Sequence, residues 1–119
     1  MVKSKKMKII TDSITLEELK QMAAAMFGNS VKAVVDVERG LLALDAELHS
    51  DLEALLLQDG SKQKDLWGLN FYPELEGADF IEFDSMINMR PSQNNRSRGV
   101  DDGQVRAKIA DIVAKRVKK

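Results

Sequence analysis

The stretch Val31-Lys32-Ala33-Val34-Val35-Asp36-Val37-Glu38-Arg39-Gly40-Leu41-Leu42-Ala43-Leu44-Asp45-Ala46 decides the fold. Two β-rich runs, 31–37 and 41–46, flank Glu38-Arg39-Gly40, and Gly40 can take the positive φ angle that a tight reversal needs. The reading is an antiparallel hairpin. Side chains alternate across a strand, so Val31, Ala33, Val35 and Val37 share one face while Lys32, Val34, Asp36 and Glu38 share the other. In the returning strand Leu42, Leu44 and Ala46 lie opposite Asp45 and Glu47.

Outward from the hairpin, helices are announced by their caps. Thr15-Leu16-Glu17-Glu18 is a capping box, Leu19, Met22, Ala23 and Met26 follow on one face, and Gly28 suits the exit, which predicts a helix over 16–27. Ser50-Asp51-Leu52-Glu53 offers a second box for a helix that starts there or earlier, at Glu47 or Leu48, with a stripe of Leu52, Leu55 and Leu56 and a stop at Gly60. Trp67, Leu69 and Phe71 alternate with Gly68, Asn70 and Tyr72 as a third strand ended by Pro73, and 80–89 alternates as a fourth. A last helix over 104–117 is capped by Asp101 or Asp102 and carries Val105, Ile109, Ile112, Val113 and Val117 as its stripe. Lys8-Ile9-Ile10-Thr11 allows a short extra strand at the start. The order α-β-β-α-β-β-α is that of an α+β protein, with a mostly antiparallel sheet of about four strands and three helices covering one face.

Composition bounds the function. The chain has 119 residues, 44% apolar and 31% charged, which suits one globular domain over 7–119 behind a flexible basic lead, 1–6, that carries Lys3, Lys5 and Lys6. With no cysteine there is no disulfide framework, thiolate zinc site or cysteine nucleophile. No apolar run reaches the roughly 18 residues of a membrane span, so a cytoplasmic protein with no membrane partner is expected. A formal net charge of −1 gives no global attraction to nucleic acid.

One segment concentrates chemistry. Glu74, Glu76, Asp79, Glu82 and Asp84 arrive without a base among them, and Arg90, Arg96 and Arg98 then arrive with no acid between Ser85 and Val100. The loop 90–98 supplies Arg90, Ser92, Asn94, Asn95, Arg96 and Arg98 as candidate ligand-binding residues, because guanidinium forks, amides and hydroxyls suit a phosphate-bearing anion. The same residues also suit a loop that satisfies its own turns. Asp45, Glu47, Glu82 and Asp84 could hold a divalent metal on an uncovered sheet face, with Asp36 nearby, or stand as a solvated face paired with arginines and lysines. His49, the one histidine, and Asp84 are the candidates for acid–base work, His49 being equally suited to a cap or surface position.

From Met7 onward the chain resembles a small bacterial family of uncharacterised proteins, a domain of unknown function. The likeness is carried by Leu16-Glu17-Glu18-Leu19, Val31-Lys32-Ala33-Val34-Val35-Asp36, Asp45-Ala46-Glu47-Leu48-His49, Asp65-Leu66-Trp67-Gly68, Phe80-Ile81-Glu82-Phe83-Asp84-Ser85-Met86-Ile87-Asn88, Arg90-Pro91-Ser92-Gln93 and Asn95-Arg96-Ser97. It implies a compact bacterial protein and assigns no activity, cofactor or catalytic residue. The residues themselves favour a binding module for an anionic, phosphate-bearing ligand over an enzyme. A metal-dependent phosphodiesterase or ribonuclease, and an interaction module that pairs with a protein partner or with itself as a homo-oligomer, are the alternatives.

Overall fold

A computed structural model describes residues 7–119; the basic lead, 1–6, lies outside the described residues. The hairpin forms as its sequence requires. Strands β3 (Val31–Asp36) and β4 (Leu41–Leu44) pair antiparallel with Asp36 opposite Leu41, and Gly40 has φ 69° at the reversal. Asp36 is fully buried and organises the turn: one carboxylate oxygen accepts from the Glu38 and Arg39 amides at 2.8 and 2.9 Å, and the other accepts from the Ser61 hydroxyl at 2.6 Å. Its oxygens are committed to the hairpin turn and to Ser61, and the residue is buried away from any metal-binding surface.

Around this hairpin the sheet has five strands, in the order β1 (Lys8–Ile10), β4, β3, β5 (Leu66–Phe71) and β6 (Ile81–Glu82), every neighbouring pair antiparallel. The short leading strand exists as β1 (Lys8–Ile10), paired along β4. β5 (Leu66–Phe71) lies along the whole of β3. The long fourth strand expected over 80–89 shrinks to β6 (Ile81–Glu82), because the Ser85 hydroxyl takes the Ile87 amide and opens a 3₁₀ turn over 86–88. A separate two-residue parallel ladder joins β2 (Ile14–Thr15) to β7 (Val117–Lys118), tying the two ends together.

The helices are α1 (Leu16–Ala25), α2 (His49–Gln58) and α3 (Gly103–Arg116). Thr15 and Glu18 close the first capping box as expected, and Asp102 caps α3 by accepting from the Gln104 amide at 2.8 Å. The second box does not form. α2 begins at His49, before Ser50, with Leu48 as its cap residue and no side-chain cap bond.

Both sheet faces are covered, whereas one was expected to be. α1 and α3 lie on the face of Val31, Ala33, Val35, Leu42, Leu44, Trp67, Leu69 and Phe71, joined by Leu19, Ile109 and Val113. α2 lies on the other, where Leu52 and Leu56 bury against Val34, Leu41, Ala43, Ala46 and Leu66. The apolar pattern of the hairpin explains why: β3 and β4 carry Val34, Leu41 and Ala43 on the face opposite Val35 and Leu42, and leaving that face wet would cost about 25 cal/mol per Å² of apolar surface. Ala46 changes sides because Asp45 has φ 76°, which breaks the alternation after Leu44. α2 leaves one corner of its face polar, where Lys32, Asn70 and Glu82 lie in register across three strands.

Candidate functional site

Two residues of that corner, Lys32 and Asn70, line a cleft of about 270 Å³. Lys32 of β3, His49 and Ser50 at the start of α2, Asn70 of β5, and Asp84 and Arg98 from the segments around the 86–88 turn all line it, with Leu48 and Met86 at its rims. Two of the sequence candidates, His49 and Asp84, therefore meet in one place, and Arg98 joins them.

His49 is nine-tenths buried, and its Nε2 stands 2.7 Å from the Leu69 carbonyl oxygen. A carbonyl only accepts, so Nε2 carries the proton, and the lone pair of the neutral ring is on Nδ1. Nδ1 has no hydrogen-bond partner among the described residues. Burial is the largest influence on the ring and holds its pKa below the ordinary 6.5; the Leu69 carbonyl opposes this, Lys32 and Arg98 add to it, and Asp84 opposes it more weakly. The imidazole is thus held neutral at the start of a helix.

Asp84 is engaged by Arg98, whose Nε donates to Oδ1 at 2.6 Å. The pair holds the guanidinium firmly protonated, and the two terminal nitrogens of Arg98 have no partner among the described residues. Lys32 has no ion-pair partner among the described residues; its ammonium lies 5.3 Å from the centre of the Phe27 ring. Glu82 accepts from the Asn70 amide at 2.9 Å and from the Tyr72 hydroxyl at 3.0 Å, and that bond is the first cause raising the Tyr72 pKa.

The rest of the arginine loop faces elsewhere. Arg90 closes the open edge of β5: its two terminal nitrogens donate to the Gln63 and Leu66 carbonyls, and its guanidinium lies 4.2 Å above the Trp67 ring. Asn95 is buried and binds the loop together, donating to the Asn88 and Gly99 carbonyls at 2.7 and 2.8 Å and accepting from the Asp101 amide at 2.8 Å. Ser92, Asn94 and Arg96 are exposed and do not line the cleft; Asn94 takes a left-handed φ of 60° to close a turn. The loop amides and hydroxyls serve its own turns, with Arg96 N and the Ser97 hydroxyl both donating to Asp101.

The four carboxylates considered for a metal are not brought together. Asp45 and Glu47 follow β4, while Glu82 and Asp84 lie on and beyond β6 with β3 and β5 between. Among the described residues no group of three or more His, Asp or Glu side chains is placed to hold a metal ion.

Sequence reasoning missed Lys32 and Ser50. Lys32 and Asn70 were legible as neighbours only once β3 and β5 were known to pair. Asn88 is fully buried: Oδ1 accepts from the Gly68 amide at 2.8 Å, and Nδ2 donates to the Gly68 and Arg98 carbonyls at 3.1 and 2.9 Å. It anchors the segment that presents Asp84 and Arg98 to the cleft.

Among the described residues no helix is long and apolar enough to cross a membrane. A family profile described as "Protein of unknown function (DUF5674)" matches residues 8–116, and the chain belongs to that family. No curated protein and no solved structure matches it.

Proposed function

We propose that this member of the DUF5674 family is a binding module for a small phosphate-bearing anion, held in the cleft at the start of α2. The observation that carries the reading is the convergence, from separate elements, of donors that have no hydrogen-bond partner among the described residues. The Lys32 ammonium comes from β3, the terminal nitrogens of Arg98 from the loop, and the Ser50 hydroxyl from a helix whose first turn has no side-chain cap. The single lining carboxylate, Asp84, is already matched by the Nε of Arg98. A guanidinium whose Nε is held by a carboxylate still presents its far edge, which takes two phosphate oxygens in parallel bonds. The uncapped amides and the positive end of the α2 dipole favour the same charge.

The anion is assigned to Arg98 rather than to the 90–98 loop as a whole. The terminal nitrogens of Arg90 and the amide of Asn95 donate to backbone carbonyls, and neither these residues nor Arg96 line the cleft. The test is calorimetric titration of the protein with inorganic phosphate and ribose 5-phosphate. A charge-assisted hydrogen bond is worth about 1.5–3 kcal/mol, so Arg98→Ala should weaken binding by about tenfold or more. Arg96→Ala should leave it within about twofold. The melting temperature of Arg98→Ala should barely move, since an exposed ion pair contributes at most about 1 kcal/mol. Equal losses in both variants, or no binding by the unmodified protein, would refute the assignment.

A further inference from the structure

We infer that the ligand of this cleft is a free nucleoside monophosphate, a phosphate ester that carries a hydroxyl-bearing sugar and a flat apolar group; the inference rests on the anion-binding reading above. Three features of the lining match three parts of such a molecule. The donors of Lys32 and Arg98 take the phosphate. The Nδ1 of His49, a cleft-lining residue, has no hydrogen-bond partner among the described residues and is an acceptor for a ligand O–H or N–H, which the hydroxyls of a ribose supply.

The third feature is the rim. Leu48 is 56% exposed and Met86 65% exposed, and these large apolar side chains come from two different elements, the cap of α2 and the 86–88 turn, to line one small polar cleft. Single exposed apolar residues are ordinary, but two at the mouth of a site with a charged floor give a ligand an apolar surface to cover. A methionine rim also suits a flat ring, because its unbranched thioether adapts its shape and makes favourable contacts with aromatic edges.

Size and charge narrow the class. A cleft of about 270 Å³ sits at the small end of ligand sites, which run from roughly 300 Å³ upward, and so suits a mononucleotide better than a dinucleotide cofactor. The formal net charge of −1 supplies no broad field to hold a polynucleotide, so the free nucleotide is favoured over the end of an RNA strand.

The experiment titrates the protein with adenosine 5′-monophosphate, ribose 5-phosphate, inorganic phosphate and a short oligoribonucleotide. Adenosine 5′-monophosphate should bind about tenfold or more tighter than ribose 5-phosphate, as covering most of a ring against apolar side chains predicts. Met86→Ala and Leu48→Ala, both at exposed positions and neither bringing a side chain that could cap the α2 amides, should shrink that gap and leave the ribose 5-phosphate affinity unchanged. Equal affinities for the two phosphates in the unmodified protein, or a gap that survives both substitutions, would overturn the nucleotide assignment while leaving anion binding intact. Tighter binding of the oligoribonucleotide would overturn its free form, and no binding of any phosphate would remove the anion reading with it.

Discussion

His49 places an ionisable ring where burial opposes its charge, with Lys32 from β3 and Arg98 from the loop on its positive side and Asp84 on its negative side. The sign of the consequence follows from linkage. The folded pKa lies below 6.5, so between the two values the unfolded chain binds more protons than the folded one, and stability is lost as pH falls through that window. The urea midpoint should therefore drop as pH falls from about 7 through the ordinary histidine value and below it, and His49→Gln should flatten that part of the profile. Glu18, held low by the Thr15 amide, and Asp101, held low by the Ser97 hydroxyl and the Arg96 amide, act in a different range: their stabilisation is lost only below about pH 4. A profile with no change above pH 5 would show that His49 titrates as it does in the unfolded chain. His49 was legible as the one histidine; its partner at Leu69 was not, because the two are 20 residues apart.

At the scale of elements, the open edge of β5 is closed by side chains. Beyond β6 the strand presents Leu66 and Gly68 to a segment that pairs through Arg90 and Asn88 instead of through its own backbone. Asn88→Ala leaves the Gly68 amide and carbonyl without their side-chain partner in a buried place and removes one of the two bonds at the Arg98 carbonyl, which keeps the Ser85 amide, a loss of about 2–4 kcal/mol at roughly 1 kcal/mol per bond plus desolvation. Gly68 shows how close the segment comes, since a Cβ there would lie 2.5 Å from the Ser85 Cβ; Gly68→Ala should cost about 1–3 kcal/mol by overpacking. Urea unfolding measures both, and a change under about 0.5 kcal/mol in either would refute this account of the edge. The alternation of 80–89 read as a strand because hydrophobic period reports which residues face the core, and a segment that pairs by side-chain amides keeps the same faces.

Over the whole molecule, two apolar clusters lie back to back on β3, β4 and β5, one under α1 and α3 and one under α2. Neither can lose its sheet face without exposing the other. Trp67, the only tryptophan and 6% exposed, belongs to the first cluster, whereas α2 belongs to the second. Tryptophan fluorescence and far-ultraviolet circular dichroism should then report one urea transition with the same midpoint. Arg116 adds to this unity by donating from α3 to the Gly40 and Asp12 carbonyls, linking the last helix to the hairpin turn and to the start of the chain. Separate midpoints would mean that α2 and its cluster unfold as a unit of their own.

By itself the sequence determined the hairpin, the three helices, the Thr15 cap and the antiparallel character of the sheet, and it narrowed the cap of α3 to Asp101 or Asp102. Each of these follows from rules that act within a few residues: period, turn chemistry and the capping of free amides. Tertiary structure alone decided which face α2 covers, that Arg98 rather than Arg90 or Arg96 reaches the cleft, and that Asp45 and Glu47 stand apart from Glu82 and Asp84. Those outcomes depend on strand order and on long-range burial, in which Val34, Leu41 and Leu66 draw an apolar helix onto a face that alternation had marked as half polar. The cleft exists because α2 covers that face only as far as its apolar residues extend.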